Sequence, residues 1–159
     1  MISKEDYITP KTGIRIRYVG AVDIEKLWKD MRKWFNKYNY DFWEKDHTIK
    51  ELDKGTEIVA HWVAEREIDD YVKFVIEVKF TFERLKKVNG KMEGTYILIF
   101  FSYLNLDYRK KWQRNRFYKF LFFLYNNYII NRKIQGVYEA KLYDELMDVY
   151  ELFKNKLKE

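Results

Sequence analysis

The fold of this chain is decided by residues 71–84, whose sequence is YVKFVIEVKFTFER. Apolar side chains occupy every second position, from Val72 to Phe82, and polar side chains lie between them, with Val75 as the exception. An alternation with a period of two is typical of a β-strand that has one face against a core and the other toward solvent. The stretch therefore predicts a long, half-buried strand.

Weaker versions of this pattern surround the central stretch and predict four more strands. They cover residues 13–20, 40–50, 56–67 and 92–106, and the strand over 40–50 is polar enough to lie at an edge. The connections are short and contain turn residues: Asp53-Lys54-Gly55, Asp69-Asp70 and Asn89-Gly90. Consecutive strands joined in this way form an antiparallel meander.

The strand over 92–106 is apolar on both faces at its centre. A two-residue turn at Asn89-Gly90 places Val78 opposite Phe101, and directly opposed residues share a face. Tyr96, Leu98 and Phe100 then emerge on the outer face, whereas one extra residue in the turn sends Ile97, Ile99 and Phe101 there instead. In either register we expect the second apolar row to be covered, by a C-terminal helix or by a symmetric partner.

Helical periodicity appears in three places. Asp23 is placed to cap a helix whose apolar positions run from Ile24 to Tyr38 at spacings of three and four. A second helix is predicted from Asp107 to about Arg132, and a third over roughly 138–157 with an apolar stripe from Leu142 to Leu157.

The predicted fold is therefore α+β. It consists of a meander antiparallel sheet of about five strands in the order β-α-β-β-β-β-α-α, with an amphipathic helix and a C-terminal helical pair. This element order is similar to that of helix-grip folds, and no sequence motif accompanies the likeness. Residues 1–11 lack apolar periodicity and are predicted to be a flexible tail, which leaves residues 12–159 as a single domain.

The composition narrows the class of protein. Abundant Lys, Glu and Ile with few thermolabile side chains is a thermophile-like pattern. With no cysteine in the chain there are no disulfides and no thiolate ligands, which fits a cytoplasmic location. The N-terminus is polar and no apolar run approaches the roughly 20 residues that span a bilayer, so we expect neither a signal peptide nor a transmembrane segment.

The positive charge is concentrated in one region. The net charge is +6, yet residues 108–138 contain eight cations and no Asp or Glu, while the rest of the chain carries 23 basic and 25 acidic residues. Such an asymmetry indicates an anionic partner. The candidate polyanion-binding residues lie in the stretch 109–119, hereafter the cationic aromatic segment: Arg109, Lys110, Lys111, Trp112, Arg114, Arg116 and Lys119.

Three interpretations of the cationic aromatic segment remain open. In the first, the segment is a solvated surface or is neutralised by acidic residues of the same fold, as most runs of charge are. In the second, the segment lies on an anionic membrane surface, where Trp112, Phe117 and Tyr118 would insert at the headgroups. In the third, it binds nucleic acid, with cations on phosphates and rings stacked on bases, although no recognised nucleic-acid-binding signature accompanies it.

Catalysis has little support in the sequence, and we expect no cofactor. No nucleophile elbow, P-loop or dinucleotide motif occurs. A hairpin near Asp53-Lys54 brings His47 and His61 within about one residue of facing each other, but two histidines are a weak metal signal and we predict no metal site. The carboxylates Glu65, Glu67, Asp69 and Asp70 flank a turn, where hydration disfavours acid–base work.

The sequence thus favours a non-enzymatic binding module that contacts nucleic acid or another acidic macromolecule. The alternatives are a carrier of an apolar ligand, with a pocket between sheet and helices, and a peripheral binder of anionic membranes. A homo-oligomer formed through an apolar sheet face is a further prediction.

Overall fold

The computed structural model describes residues 4–68, 72–106, 120 and 134–158. Within these ranges the chain forms one six-stranded antiparallel sheet, two α-helices and a short π-helical turn. The elements are β1 (Lys4–Tyr7), β2 (Ile14–Val22), α1 (Ile24–Lys37), β3 (Asp41–Leu52), β4 (Gly55–Glu67), β5 (Val72–Val88), β6 (Lys91–Leu106), the π-helical turn (Ile134–Tyr138) and α2 (Glu139–Lys158).

The sheet is a meander with one interrupted edge. Strands β3 to β6 are neighbours in chain order, and β1 and β2 both pair with β6 along its free side. The chain steps out of the sheet between β1 and β2, where the Gly13 amide donates to the Pro10 carbonyl at 2.8 Å and Gly13 has a φ of 79°. A β-carbon at Gly13 would lie 2.9 Å from the Phe100 carbonyl oxygen, so glycine is required at this close approach.

The stretch over residues 1–11, predicted to be a flexible tail, contains a strand. Lys4–Tyr7 form β1 against Tyr103–Leu106, and the Ile8 amide donates to the Ser102 carbonyl at 2.9 Å. Thr9 is buried. The strand is built from backbone hydrogen bonds at a sheet edge, which place few demands on side-chain hydrophobicity, so its polar sequence showed no period of two.

The register between β5 and β6 differs from that implied by the two-residue turn. The turn itself is as predicted: Asn89 and Gly90 have φ values of 50° and 80°, and Val88 pairs with Lys91. A β-bulge between Glu83 and Lys86 then shifts the pairing by one residue, so that Val78 lies opposite Phe100. The bulge therefore does what one extra turn residue would have done.

The core lies between the sheet and the two helices. The Asp23 carboxylate accepts from the Lys26 amide at 3.2 Å and caps α1, as predicted. On α2 the predicted stripe is fully buried, and Phe153 packs on the rings of Phe80 and Phe100 with centroids 6.3 and 5.4 Å away. The α+β class and the antiparallel meander are thus confirmed. Apart from Phe120, the predicted helix from Asp107 to about Arg132 lies outside the described residues.

The outer face of the sheet carries the second apolar row of β6. Ile97, Ile99 and Phe101 occupy it and are half-buried. The described neighbours of this row are polar or aromatic: the Lys79 ammonium lies 5.1 Å from the centre of the Phe101 ring, and the rings of Tyr7 and Tyr103 are 4.9 Å apart. The helix α2 covers the other row, because Tyr150 and Phe153 contact Phe100.

Candidate functional site

The cationic aromatic segment, residues 109–119, lies outside the described residues, but the points where the chain leaves and re-enters the described fold are known. β6 ends at Leu106, which pairs with Val72 on one side and with Lys4 on the other. The chain resumes with the π-helical turn, whose Tyr138 ring lies 6.2 Å from Phe74 on β5. Both ends are therefore anchored at the same end of the sheet, where β4 turns into β5.

Two carboxyl groups meet at this end. Glu139, in the first turn of α2, hydrogen-bonds with Asp6 of β1. Burial, that hydrogen bond and the neighbouring Asp6 charge raise the pKa of Glu139 to about 7, because each disfavours the charged carboxylate. Glu139 borders a shallow cavity of about 360 Å³, which is also lined by Tyr7, Ile8, Ala140 and Tyr143. Their hydrogen bond joins two elements that are far apart in the sequence.

An ion pair between Arg66 and Glu145 lies at the edge of the core nearby. The Arg66 guanidinium donates to Glu145 of α2 at 2.6 Å and to the Tyr38 carbonyl at 2.8 Å. The Tyr40 hydroxyl donates to the other oxygen of Glu145 at 2.5 Å, and burial followed by the Glu145 charge raises the pKa of Tyr40. The guanidinium also lies over the Phe74 ring at 5.3 Å. This arrangement ties β4, α2 and the end of α1 together, which is a structural role.

A second contact joins the two helices one turn further along α2. The Asp148 carboxylate accepts from Trp34 Nε1 at 2.7 Å and from the Tyr38 hydroxyl at 3.1 Å. Sequence reasoning did not identify Arg66, Glu145 or Asp148 as partners. They are charged residues in ordinary polar positions of their elements, and only the tertiary packing brings them to groups 28 to 114 residues away.

The two histidines come within one residue of facing each other, as predicted, but on opposite faces of the sheet. Asp46 pairs with His61, and His47 pairs with Ala60. His47 contacts the Trp28 ring and Glu44 at 2.6 Å on the helix side, whereas His61 contacts Glu77 at 2.9 Å on the outer side. The sheet therefore separates them and they cannot share a metal ion. In the described ranges no three His, Cys, Asp or Glu residues are grouped in a way that could hold a metal.

The carboxylates near the turn between β4 and β5 do not form a described catalytic pair. Glu65 is bound to the Lys73 ammonium at 3.1 Å across the two strands. Glu67 is exposed at the end of β4. Asp69 and Asp70 lie outside the described residues.

Large side chains fill the space between the sheet and the helices. Phe35, Phe74, Phe80, Phe82, Tyr96, Phe100 and Phe153 are at most 1% exposed there. Cavities lined by described residues occur instead at the periphery. One of about 150 Å³ lies between the ends of α1 and α2, and another of about 400 Å³ lies beside the β-bulge.

Comparisons with protein-family models, with curated proteins and with solved structures give no match to this chain. Among the residues that the structure describes, no helix has both the length and the hydrophobicity needed to cross a membrane.

Proposed function

We propose that this chain is a non-enzymatic binding module, cytoplasmic in location, that holds single-stranded nucleic acid through the cationic aromatic segment. One observation carries the proposal: eight cations and no carboxylate occur between residues 108 and 138 of a chain that is otherwise slightly acidic. Phosphate groups at regular spacing are the natural partner of such a block, and Trp112, Phe117 and Tyr118 offer rings on which bases can stack.

The described fold supports the proposal indirectly. The rest of the chain satisfies many of its own charges, with ion pairs such as Lys73–Glu65, Arg66–Glu145 and Lys156–Asp30. Both anchor points of the stretch that contains the cationic aromatic segment are held by strand pairing and ring contacts. A cationic stretch fastened at both ends of a stable scaffold loses less entropy on binding than a free tail.

A competing explanation for the concentration of cations is that acidic residues of the same fold neutralise them. Glu5, Asp6 and Glu139 lie at the end of the sheet where the two anchor points are. If these carboxylates neutralise the segment, its cations have a structural role and bind no external polyanion.

The test changes Arg109, Lys110, Lys111, Arg114 and Arg116 together to Gln. We expect folding to survive, because exposed charges contribute little to stability. Affinity for a single-stranded oligonucleotide should fall by roughly 100-fold at low salt, and the dependence of log K on log salt should flatten by about 3.5 if all five contact phosphates. Fluorescence anisotropy with a labelled oligonucleotide over a range of salt concentrations measures both.

A matched control changes five exposed lysines on other elements to Gln: Lys29, Lys33, Lys54, Lys86 and Lys87. It removes the same charge and should retain most of the binding, which separates a local site from the overall net charge. RNA of the same length and vesicles containing anionic lipid are measured in parallel. Binding of vesicles but not of oligonucleotides would instead identify a membrane-surface protein, and equal loss in both variants would contradict a site at 109–119.

A further inference from the structure

Among the described strands, β3 forms an edge of the sheet. It runs for 12 residues from Asp41 to Leu52 and pairs with β4, and no other described strand bonds to the backbone amides and carbonyls along its second side. Every residue from Trp43 to Leu52 is exposed. A free edge of this length is a template for another strand.

Apolar side chains accompany this free edge. Trp43, Ile49 and Leu52 are 45%, 59% and 55% exposed, which places them among the most exposed large hydrophobic residues of the described chain. Burial of such groups stabilises an association. The edge therefore combines hydrogen-bonding capacity with apolar surface.

The charges along β3 are complementary to themselves in one antiparallel register. If Thr48 faces Thr48 of a second copy, Asp46 lies opposite the partner's Lys50 and Lys45 lies opposite the partner's Glu51. The two-fold axis repeats each pair, so four opposite-charge pairs form. The bulge between Glu44 and Asp46 contains Lys45, so the Asp46–Lys50 pairs lie in the regular part of the strand and the Lys45–Glu51 pairs lie at its irregular end.

A slip of one residue in either direction removes this complementarity. One slip places Lys45 opposite the partner's Lys50 and Glu44 opposite the partner's Glu51, and the other places Asp46 opposite the partner's Glu51. Like charges directly opposed in a sheet are destabilising. The charges of β3 thus disfavour both one-residue slips from the register centred on Thr48.

The favoured register also buries the exposed Ile49. It lies opposite the partner's His47, and in each copy the His47 ring packs against Trp28 at 5.7 Å. Ile49 would therefore extend an apolar cluster that already exists on the helix side of the sheet. Thr48 and the Asp46–Lys50 pairs would lie on the outer side.

From these observations we propose that two copies of this chain associate through antiparallel pairing of β3 with β3, centred on Thr48, to form one continuous sheet. The partner is a second copy because the edge is complementary to its own sequence. The association is independent of the nucleic-acid proposal, since β3 carries none of the residues 109–119. Paired edges of this size form dimers of moderate affinity, which depend on protein concentration.

The first test is a crosslink at the two-fold axis. The chain has no cysteine, so Thr48→Cys introduces a single thiol. Directly opposed residues in antiparallel strands have α-carbons about 4.5–5.5 Å apart, within the range that a disulfide spans. Under mild oxidation we expect a covalent dimer to form much faster for Thr48→Cys than for Val19→Cys, an equally accessible site on the opposite edge of the sheet. Equal rates would overturn the proposal.

The second test exchanges charges. Lys50→Glu places carboxylates opposite each other at both ends of the pairing, and Asp46→Lys does the same with ammonium groups. Each should weaken the dimer at least about tenfold at low salt, measured by sedimentation equilibrium. An equimolar mixture of the two variants restores both opposite-charge pairs, so a heterodimer should form with nearly wild-type affinity.

These two tests decide whether β3 pairs with itself, and they do not depend on whether the chain binds nucleic acid. A wild-type chain that stays monomeric throughout the micromolar range, or a dimer that is indifferent to both exchanges, would show that β3 does not pair with itself. The variant with five Gln residues at 109–116 should dimerise like wild type. Loss of nucleic-acid binding with retained dimerisation therefore leaves the present inference intact, and the reverse result leaves the proposed function intact.

Discussion

At the scale of single residues, partners that are distant in the sequence determine the surroundings of several polar groups. Glu139 and Asp6 share a hydrogen bond although more than 130 residues separate them. Their proximity follows from the pairing of β1 with β6 and from the start of α2 at Glu139. The consequence is one carboxyl group that titrates near neutral pH.

This titration predicts a pH dependence of stability. The pKa of Glu139 is raised from 4.5 to about 7 in the folded protein, so between these values the folded state holds a proton that the unfolded state releases. The stability it contributes is complete below about pH 4.5 and is lost as the pH rises through about 7. Urea midpoints measured between pH 5 and 8 should therefore fall with pH over this range, and Glu139→Gln should reduce the fall.

Asp6→Asn is expected to have a smaller effect in the same direction. It removes the charge of Asp6 but leaves the burial of Glu139, which is the largest cause of the shift. Asp144→Asn, at an exposed position of the same helix, is the control and should leave the pH profile unchanged. A profile that is identical for wild type and Glu139→Gln would show that the pKa of Glu139 is not raised as described.

At the scale of elements, the β-bulge in β5 decides which face of β6 enters the core. Arg84 adopts a φ of 56° within the bulge, and Leu85 is buried. Gly94 lies opposite, where a β-carbon would be 2.6 Å from the Glu83 carbonyl oxygen. A left-handed residue and a close backbone approach together make room for the extra residue.

The conformation of Arg84 predicts unequal effects of glycine at adjacent positions. Glycine adopts positive φ without steric cost, so Arg84→Gly should lie within about 0.5 kcal/mol of wild type in the free energy of unfolding. Glu83→Gly, in regular strand conformation, should lose about 1 kcal/mol. Chemical denaturation of both variants measures the difference, and equal losses would contradict the described bulge.

At the scale of the whole molecule, large aromatic side chains fill the described space between the sheet and the two helices. The aromatic side chains between sheet and helices contact one another at ring distances of 4.8 to 6.3 Å in pairs such as Phe82–Tyr96 and Phe80–Phe153. Close packing of this kind stabilises the fold. An apolar-ligand carrier needs a cavity in this space.

A variant with a cavity made by mutation can be compared with the wild-type protein for stability and for binding of apolar ligands. Phe153→Ala should lose about 3–5 kcal/mol of stability and create a void that binds benzene, whereas Phe153→Leu should lose less. Dodecanoate should leave the melting temperature of the wild-type protein unchanged, as measured by calorimetry. A rise of about 5 °C or more at saturating dodecanoate would instead support the carrier function.

The sequence by itself determined the local features of this protein. The alternation in β5, the three- and four-residue spacing of α1 and α2, the Asp23 cap and the Asn89-Gly90 turn were predicted correctly, because each depends on the conformational preferences and faces of neighbouring residues. The concentration of cations in residues 108–138 is likewise a property of the sequence alone. The site proposed for them stays a prediction that the two Gln variants test.

The tertiary structure decided which distant groups meet. The bulge at Arg84 reversed the faces of β6, because packing against α2 outweighed the register implied by the turn. The polar residues of β1 became a strand because the free side of β6 offered backbone partners. Glu145 became a buried group because Arg66 and Tyr40 replace its water. Desolvation depends on everything that surrounds a residue in space, and neighbours in the sequence supply only part of those surroundings.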